Sequence, residues 1–175
     1  MKRTLLTLTV AALAILVSSQ AMAAPVGARN ATAKAGAGAT IVVPIAIQRT
    51  MDLEFGSIAP GFSDGTVSVS TDDVRDKAGD LNLLTVGNTP TAAAFIVMGS
   101  PEATYTVTLP KEIGVVNEAG TEKMAVNEFN SNPDGAGVLD AKGQQSLKVG
   151  ATLHVAASQA AGRYTGAFEV TVEYN

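Results

Sequence analysis

The chain has 175 residues with no cysteine, and its 12 basic and 16 acidic side chains give a formal net charge of −4. The lack of cysteine excludes disulfides and thiolate chemistry, and the acidic balance excludes the basic footprint of a nucleic-acid-binding protein. A single histidine supports neither a transition-metal site nor a Ser-His-acid catalytic set. We therefore expect no enzyme, no cofactor and no metal centre.

The first 23 residues have the pattern of a secretory signal peptide. Lys2 and Arg3 precede an apolar run over residues 5–17, which is too short to span a membrane, and Ala21 and Ala23 form a small-x-small end. Cleavage after Ala23 removes 23 of 175 residues and leaves 152, with 10 basic against 16 acidic side chains, a net charge of −6. The sequence predicts an exported chain with room for one domain and no membrane span in its mature form.

A stripe of alternating residues follows. Every odd position from Ala31 to Ile47 is apolar, which is the period of an extended strand with one buried face. Seventeen residues of strand span about 55 Å, whereas a domain of this size has a radius of gyration of about 15 Å. Either the stripe bends midway, or its first half belongs elsewhere.

The remainder of the chain consists of short alternating segments separated by turn residues. The predicted strands cover 52–58 (closed by Pro60 and Gly61), 66–70, 81–86, 92–98, 103–109, 124–129, 147–157 and 164–174. Residues 72–80 and 130–137 are predicted to be loops. No mature segment shows a sustained helical period, so we expect an all-β antiparallel sandwich or barrel.

The C-terminal segment alternates throughout. Its apolar face comprises Tyr164, Phe168, Val170, Val172 and Tyr174. Tyr174 is the penultimate residue, and Gly162 is the fourteenth residue from the C-terminus.

This glycine spacing and penultimate tyrosine resemble the subunits of chaperone–usher fimbriae, and Leu53-x-Phe55-Gly56 is similar to their spore-coat-U-like branch. Residues 39–175 are more similar still to the DUF4402 family of exported bacterial proteins. The segments that carry this second resemblance are Pro44-Ile45-x-Ile47, Asp52-Leu53-x-Phe55-Gly56, Tyr105-x-Val107-x-Leu109-Pro110, Ser131-Asn132-Pro133, Val149-Gly150-Ala151-x-Leu153, Tyr164-x-Gly166 and Tyr174-Asn175. The chain departs from most chaperone–usher subunits in having no cysteine.

The resemblance implies an immunoglobulin-like sandwich (residues 44–175) that lacks its final strand. The missing strand would leave an acceptor groove along the C-terminal strand, at Gly162, Tyr164, Phe168, Val170, Val172 and Tyr174. A periplasmic chaperone, and later the N-terminal extension (residues 24–43) of a neighbouring copy, would fill the groove during usher-dependent assembly at the cell surface. The donor residues would be Ala35, Ala37, Ala39, Ile41 and Val43, among which the larger Ile41 and Val43 should dominate.

Other interpretations remain open. The stripe is also compatible with an ordinary sheet strand, and Gly162 with a hairpin in a complete sandwich, which would make the protein a self-contained monomeric binding module. Asp72, Asp73 and residues 132–135 are oxygen-rich, but their spacing matches no calcium motif. His154 alternates with Leu153 and Val155, so we expect it on the surface.

Overall fold

The computed structural model describes Asn30 and residues 32–175, so the predicted signal peptide lies outside the described residues. The chain divides into two compact units, Met1–Ala39 and Thr40–Asn175. In the first unit, residues 32–39 are exposed and form neither helix nor strand. The strands of the described residues all belong to the second unit.

Eleven strands are found in this described part of the chain. They are β1 (Ala46–Met51), β2 (Ile58–Val69), β3 (Arg75–Leu83), β4 (Ala93–Met98), β5 (Thr104–Thr108), β6 (Glu112–Asn117), β7 (Lys123–Asn132), β8 (Ala136–Val138), β9 (Gln144–Val155), β10 (Tyr164–Thr165) and β11 (Thr171–Tyr174).

Two antiparallel sheets are formed by these strands. The large sheet has the order β1-β4-β9-β7-β6-β10, and β2 joins it by pairing with both β9 and β3. The small sheet has the order β11-β5-β8. The all-β antiparallel sandwich predicted from the sequence is confirmed.

Strand β9 organises the large sheet. One of its edges pairs with β7, while the other pairs first with β4 and then with β2. Its odd-numbered residues from Leu147 to Val155 are all buried, as expected for a strand with one face in the core. His154 lies between buried residues on the opposite face of β9 and is exposed, as predicted.

The two sheets pack against each other through a shared core. One buried cluster joins β4 and β9 of the large sheet to β5 of the small sheet; its members from these strands are Ala93, Val97, Leu147, Val149, Tyr105 and Val107. The Tyr105 hydroxyl bonds Gln145 Oε1 at 2.8 Å, and burial raises the pKa of this phenol. A second cluster fills the β2–β9–β7 end of the large sheet; its buried members are Val67, Leu81, Val126, Ala151, Leu153 and Val155.

Residues 75–83 form the edge strand β3, so the loop predicted at 72–80 is wrong, and only residues 81–83 of the strand predicted at 81–86 are strand. Strand β3 is mostly exposed and rich in charged side chains, so its sequence lacks the apolar alternation that predicts a strand. Charged side chains on an exposed sheet edge discourage aggregation. Strand β6 was not predicted, and its neighbour β7 runs to Asn132 into the predicted loop at 130–137. β8 also falls partly within that range.

Strand β2 is longer than predicted. It begins at Ile58, continues through Pro60 and Gly61, and reaches Val69, so the predicted end at Pro60-Gly61 is wrong. The register shifts between Pro60 and Gly65, where four residues of β2 face Asp80 alone. A bulge of this kind accommodates proline and glycine inside a strand. The strand predicted over 52–58 is wrong except at Ile58, because residues 52–57 form only an isolated β-bridge, between Glu54 and Thr91.

The C-terminal segment is divided between the sheets. Tyr164–Thr165 pairs with β6 in the large sheet, whereas Thr171–Tyr174 pairs with β5 in the small sheet. Residues 166–170 cross from one sheet to the other without forming strand pairs. Gly166 permits this crossing, because a Cβ there would lie 2.8 Å from the Gly114 carbonyl oxygen. The apolar positions of 164–174 are partly buried as predicted, but the segment is two short strands in different sheets rather than one strand.

Candidate functional site

The outer edge of β11 is open within the described part of the chain. Its ladder with β5 places Val172 beside Val107 and Tyr174 beside Tyr105. No strand among residues 32–175 pairs with the other edge, because β11 is the last strand of the small sheet. Exposed backbone N–H and C=O groups on such an edge can accept an additional strand.

An apolar row follows this open edge. Phe168, Val170, Val172 and Tyr174 are half-buried and pack against the cluster between the sheets. The ring centroid of Phe168 lies 5.1 Å from that of Phe129 and 6.5 Å from that of Phe95. The structure thus brings together four of the six predicted acceptor residues, each with apolar surface still exposed.

The other two predicted acceptor residues lie apart from this edge. Tyr164 belongs to β10 in the large sheet, and its hydroxyl donates to the Ala160 carbonyl oxygen at 2.8 Å. Gly162 is exposed in the loop that precedes β10. Neither residue is part of the β11 ladder.

Strand β1 forms the corresponding edge of the large sheet. It pairs with β4 on one side and is the first strand in the order of the large sheet. Ile45 and Ile47 are half-buried and pack on the same cluster as the β11 row. The core therefore has partly exposed apolar side chains from an edge strand of each sheet.

Three hydrogen bonds form a ring that links the end of β4, the end of β11 and the residues before β1. The Val43 N–H donates to Ser100 Oγ at 2.9 Å, and the Ser100 N–H donates to the Tyr174 hydroxyl at 2.7 Å. That hydroxyl donates in turn to the Val43 carbonyl oxygen at 2.7 Å. We call this ring of Val43, Ser100 and Tyr174 the clamp. A cavity of about 440 Å³ adjoins it, lined in part by Val42, Ala103 and Thr104.

The predicted donor residues are all exposed in the structure. Ala35, Ala37 and Ala39 belong to the first unit and lie outside any strand. In the second unit, Ile41 is 96% exposed and the Val43 side chain is 56% exposed. The apolar face of the stripe is therefore exposed throughout residues 32–43.

Asp73, from one of the oxygen-rich segments, and His154 are each held by contacts within the domain. The Asp73 carboxylate pairs with Lys148 Nζ at 2.7 Å and accepts the Ala92 N–H at 2.8 Å, and these bonds hold the pKa of Asp73 below its usual value. His154 Nε2 lies 2.8 Å from Asn127 Oδ1. Among the described residues, no group of three or more His, Cys, Asp or Glu side chains could hold a metal ion.

Sequence reasoning missed Ser100 and Gly99. Gly99 leaves room for the Tyr174 hydroxyl, since a Cβ at this position would overlap it. The Gly-Ser-Pro run at 99–101 predicts a turn, but Ser100 and Tyr174 are 74 positions apart and nothing local indicates their contact.

Within residues 32–175, no helix has the length and hydropathy needed to cross a membrane.

A comparison with known protein families identifies the chain's family. The family described as "Domain of unknown function (DUF4402)" matches residues 45–174, a range that includes β1 to β11 and ends at Tyr174. No curated protein and no solved structure matches the chain. Because the match covers well over half of the 175 residues, the chain belongs to the DUF4402 family.

Proposed function

We propose that this protein is an exported structural subunit that polymerises by strand donation. In this proposal the N-terminal extension of one copy pairs with the open edge of β11 in the next copy. Repetition of the joint builds a fibre on the cell surface that serves adhesion or biofilm formation. The protein then acts through assembly and needs no catalytic group.

The main support is the state of β11. A complete sandwich would bury the apolar residues of its terminal strand, yet Val172 and Tyr174 are only partly buried, beside an edge without a partner among the described residues. An added strand would satisfy the free backbone groups and cover these side chains at once. Each fully buried Val or Ile side chain contributes roughly 1.5–3 kcal/mol, so a few contacts make a long-lived joint.

The extension has the properties of a donor. Its odd positions from 31 to 43 are apolar, its residues 32–42 are exposed, and none of residues 32–42 belongs to a strand of its own domain. Ile41 is the largest apolar side chain on that face before Val43, and it is almost fully exposed. The alanines at 35, 37 and 39 contribute little burial, which makes Ile41 the principal anchor.

The resemblance to chaperone–usher subunits supplies the proposed partners and location. A subunit with an open apolar edge aggregates unless the edge is covered during export. We infer that a periplasmic chaperone occupies the β11 edge first and that an outer-membrane usher exchanges it for the next extension. The predicted signal peptide delivers the chain to the periplasm.

A single-chain fusion tests the proposal. Residues 31–47 are appended after Asn175 through a flexible linker, which supplies a second extension in cis; we call this the fused chain. We expect the unfused mature chain to self-assemble or to be unstable, and the fused chain to be monomeric with a much higher melting temperature.

The matched control is a fused chain whose appended segment carries Ile41→Asp. A charge at the principal anchor should remove most of the gain in melting temperature, because its burial is unfavourable. An unfused chain that is already monomeric, and equally stable after deletion of residues 24–40, would contradict strand donation.

One observation favours the alternative, a monomeric binding module. Phe62 is 95% exposed on the β2 bulge. Three hydrogen bonds hold that bulge: the Phe62 N–H to Asp80, the Ser158 N–H to Gly61 and the Ala157 N–H to Asp64. A strand bulge that presents an exposed aromatic side chain is suited to ligand contact. This function would be supported if the fusion had no effect.

A further inference from the structure

We propose that the clamp fixes the point at which the donated segment leaves its own domain, so that the donor ends at Val42. This inference rests on the proposed function, which it makes more specific by identifying the boundary residue. It revises the donor segment, because Val43 then stays with its own subunit and Ile41 becomes the last apolar anchor.

The clamp uses both backbone groups of Val43. Its N–H is bound by Ser100 Oγ and its carbonyl oxygen by the Tyr174 hydroxyl, at 2.9 Å and 2.7 Å. Because its one N–H is already bound within its own domain and its carbonyl oxygen is occupied, Val43 cannot donate to a ladder with a neighbouring strand. Val42 and earlier residues keep theirs available.

The bonding pattern of the clamp is closed. Tyr174 has one hydroxyl hydrogen, which goes to Val43, and its oxygen accepts the Ser100 N–H. The ring therefore joins three segments that are distant in sequence: the residues before β1, the end of β4 and the end of β11. Removal of any member leaves at least one of the others without its partner.

The local sequence favours this geometry. Val43 precedes Pro44 and Ser100 precedes Pro101, and a residue before proline is restricted to extended conformations. Gly99 lies where a side chain would displace the Tyr174 hydroxyl. Both prolines and Gly99 are therefore compatible with the geometry of the clamp.

Amide hydrogen exchange resolved to single residues tests the clamp in the full mature chain. In the parent, we expect Val43 to be protected before assembly and to keep the same protection afterwards, while residues up to Val42 gain protection. Ser100→Ala should make the Val43 amide exchange about tenfold faster in the unassembled chain, as expected for one lost hydrogen bond.

Tyr174→Phe and Gly99→Ala are the second and third variants. Each breaks the bond to the Val43 carbonyl oxygen while the Val43 N–H keeps its bond to Ser100 Oγ. On assembly the freed carbonyl oxygen should then accept one further N–H from the neighbouring β11 edge, so that one more β11 amide gains protection, which a purely stabilising residue would not cause. Tyr164→Phe is the matched control, because its hydroxyl also binds a backbone carbonyl but lies in the other sheet. Protection of the buried β9 amides confirms that each variant is folded.

The outcomes separate the two proposals. If the chains do not assemble but Val43 loses protection in Ser100→Ala, strand donation fails and the clamp stands. If the chains assemble and Val43 exchanges as fast in the parent as in Ser100→Ala, the clamp is wrong and strand donation stands. If a variant does not fold, the clamp is judged from the parent alone, by whether the protection of the Val43 amide is the same before and after assembly.

Discussion

Replacement of Ile41 by alanine should weaken the joint between subunits without affecting the domain. Ile41 is 96% exposed in the separated chain, so its loss should change the stability of the domain by no more than about 0.5 kcal/mol. In a joint that buries the side chain, three carbons are removed at about 0.8 kcal/mol each, or about 2.4 kcal/mol in total. That difference corresponds to a joint about 50-fold weaker.

Two measurements separate these effects. Release of monomers from assembled chains, followed by size-exclusion chromatography over a urea series, reports the joint. Hydrogen exchange of the buried β9 amides in unassembled chains reports the domain. The control variant is Thr40→Ala, at the adjacent position on the opposite face of the stripe, which should shift monomer release by less than about threefold.

The reasoning would be refuted by either of two results. Assembled Ile41→Ala chains that release monomers at the same urea concentration as the parent would exclude Ile41 as an anchor. Faster exchange of the β9 amides in Ile41→Ala would place the residue in its own domain instead.

Three further predictions concern the domain and are measured on the fused chain. Phe168→Ala should lower the free energy of unfolding by about 2 kcal/mol in urea titrations, because the half-buried ring packs against two other phenylalanines. Asp73→Asn should cost about 0.2–1 kcal/mol at pH 7 through the loss of its charge pair with Lys148. Because the pKa of Asp73 is lowered in the folded state, this difference should shrink as the pH falls below about 4 and vanish once the folded carboxylate is protonated. Gly150→Ala should cost about 1–3 kcal/mol in thermal unfolding, since a Cβ there would overlap the Val69 carbonyl oxygen.

Strands with one buried face were the predictable part of the fold. In β5 the buried residues Tyr105 and Val107 alternate with exposed threonines, and the odd positions of β9 alternate in the same way, so both were found from the sequence. The exposed edge strand β3 carries charges on both faces and gives no such signal. The bulge in β2 was mistaken for an end because Pro60-Gly61 is also a turn signal.

The candidate site was only partly predictable. The alternation of Phe168, Val170, Val172 and Tyr174 identified their common face, which depends on backbone extension alone. It did not reveal that the chain changes sheets at 166–170, because an extended crossing and a paired strand have the same side-chain period. The clamp depends on a contact between Ser100 and Tyr174 that only the folded topology creates.

Intermolecular disulfide formation tests the central claim most directly, since the parent chain has no cysteine. Chains that carry Val172→Cys, on the core-facing row of β11, are mixed with chains that carry one cysteine at a position from 35 to 42. Strand donation predicts dimers on non-reducing gels for odd positions such as 39 and 41, and few for the intervening even positions. Equal dimer yields at odd and even positions, or no dimers at all, would contradict the proposal.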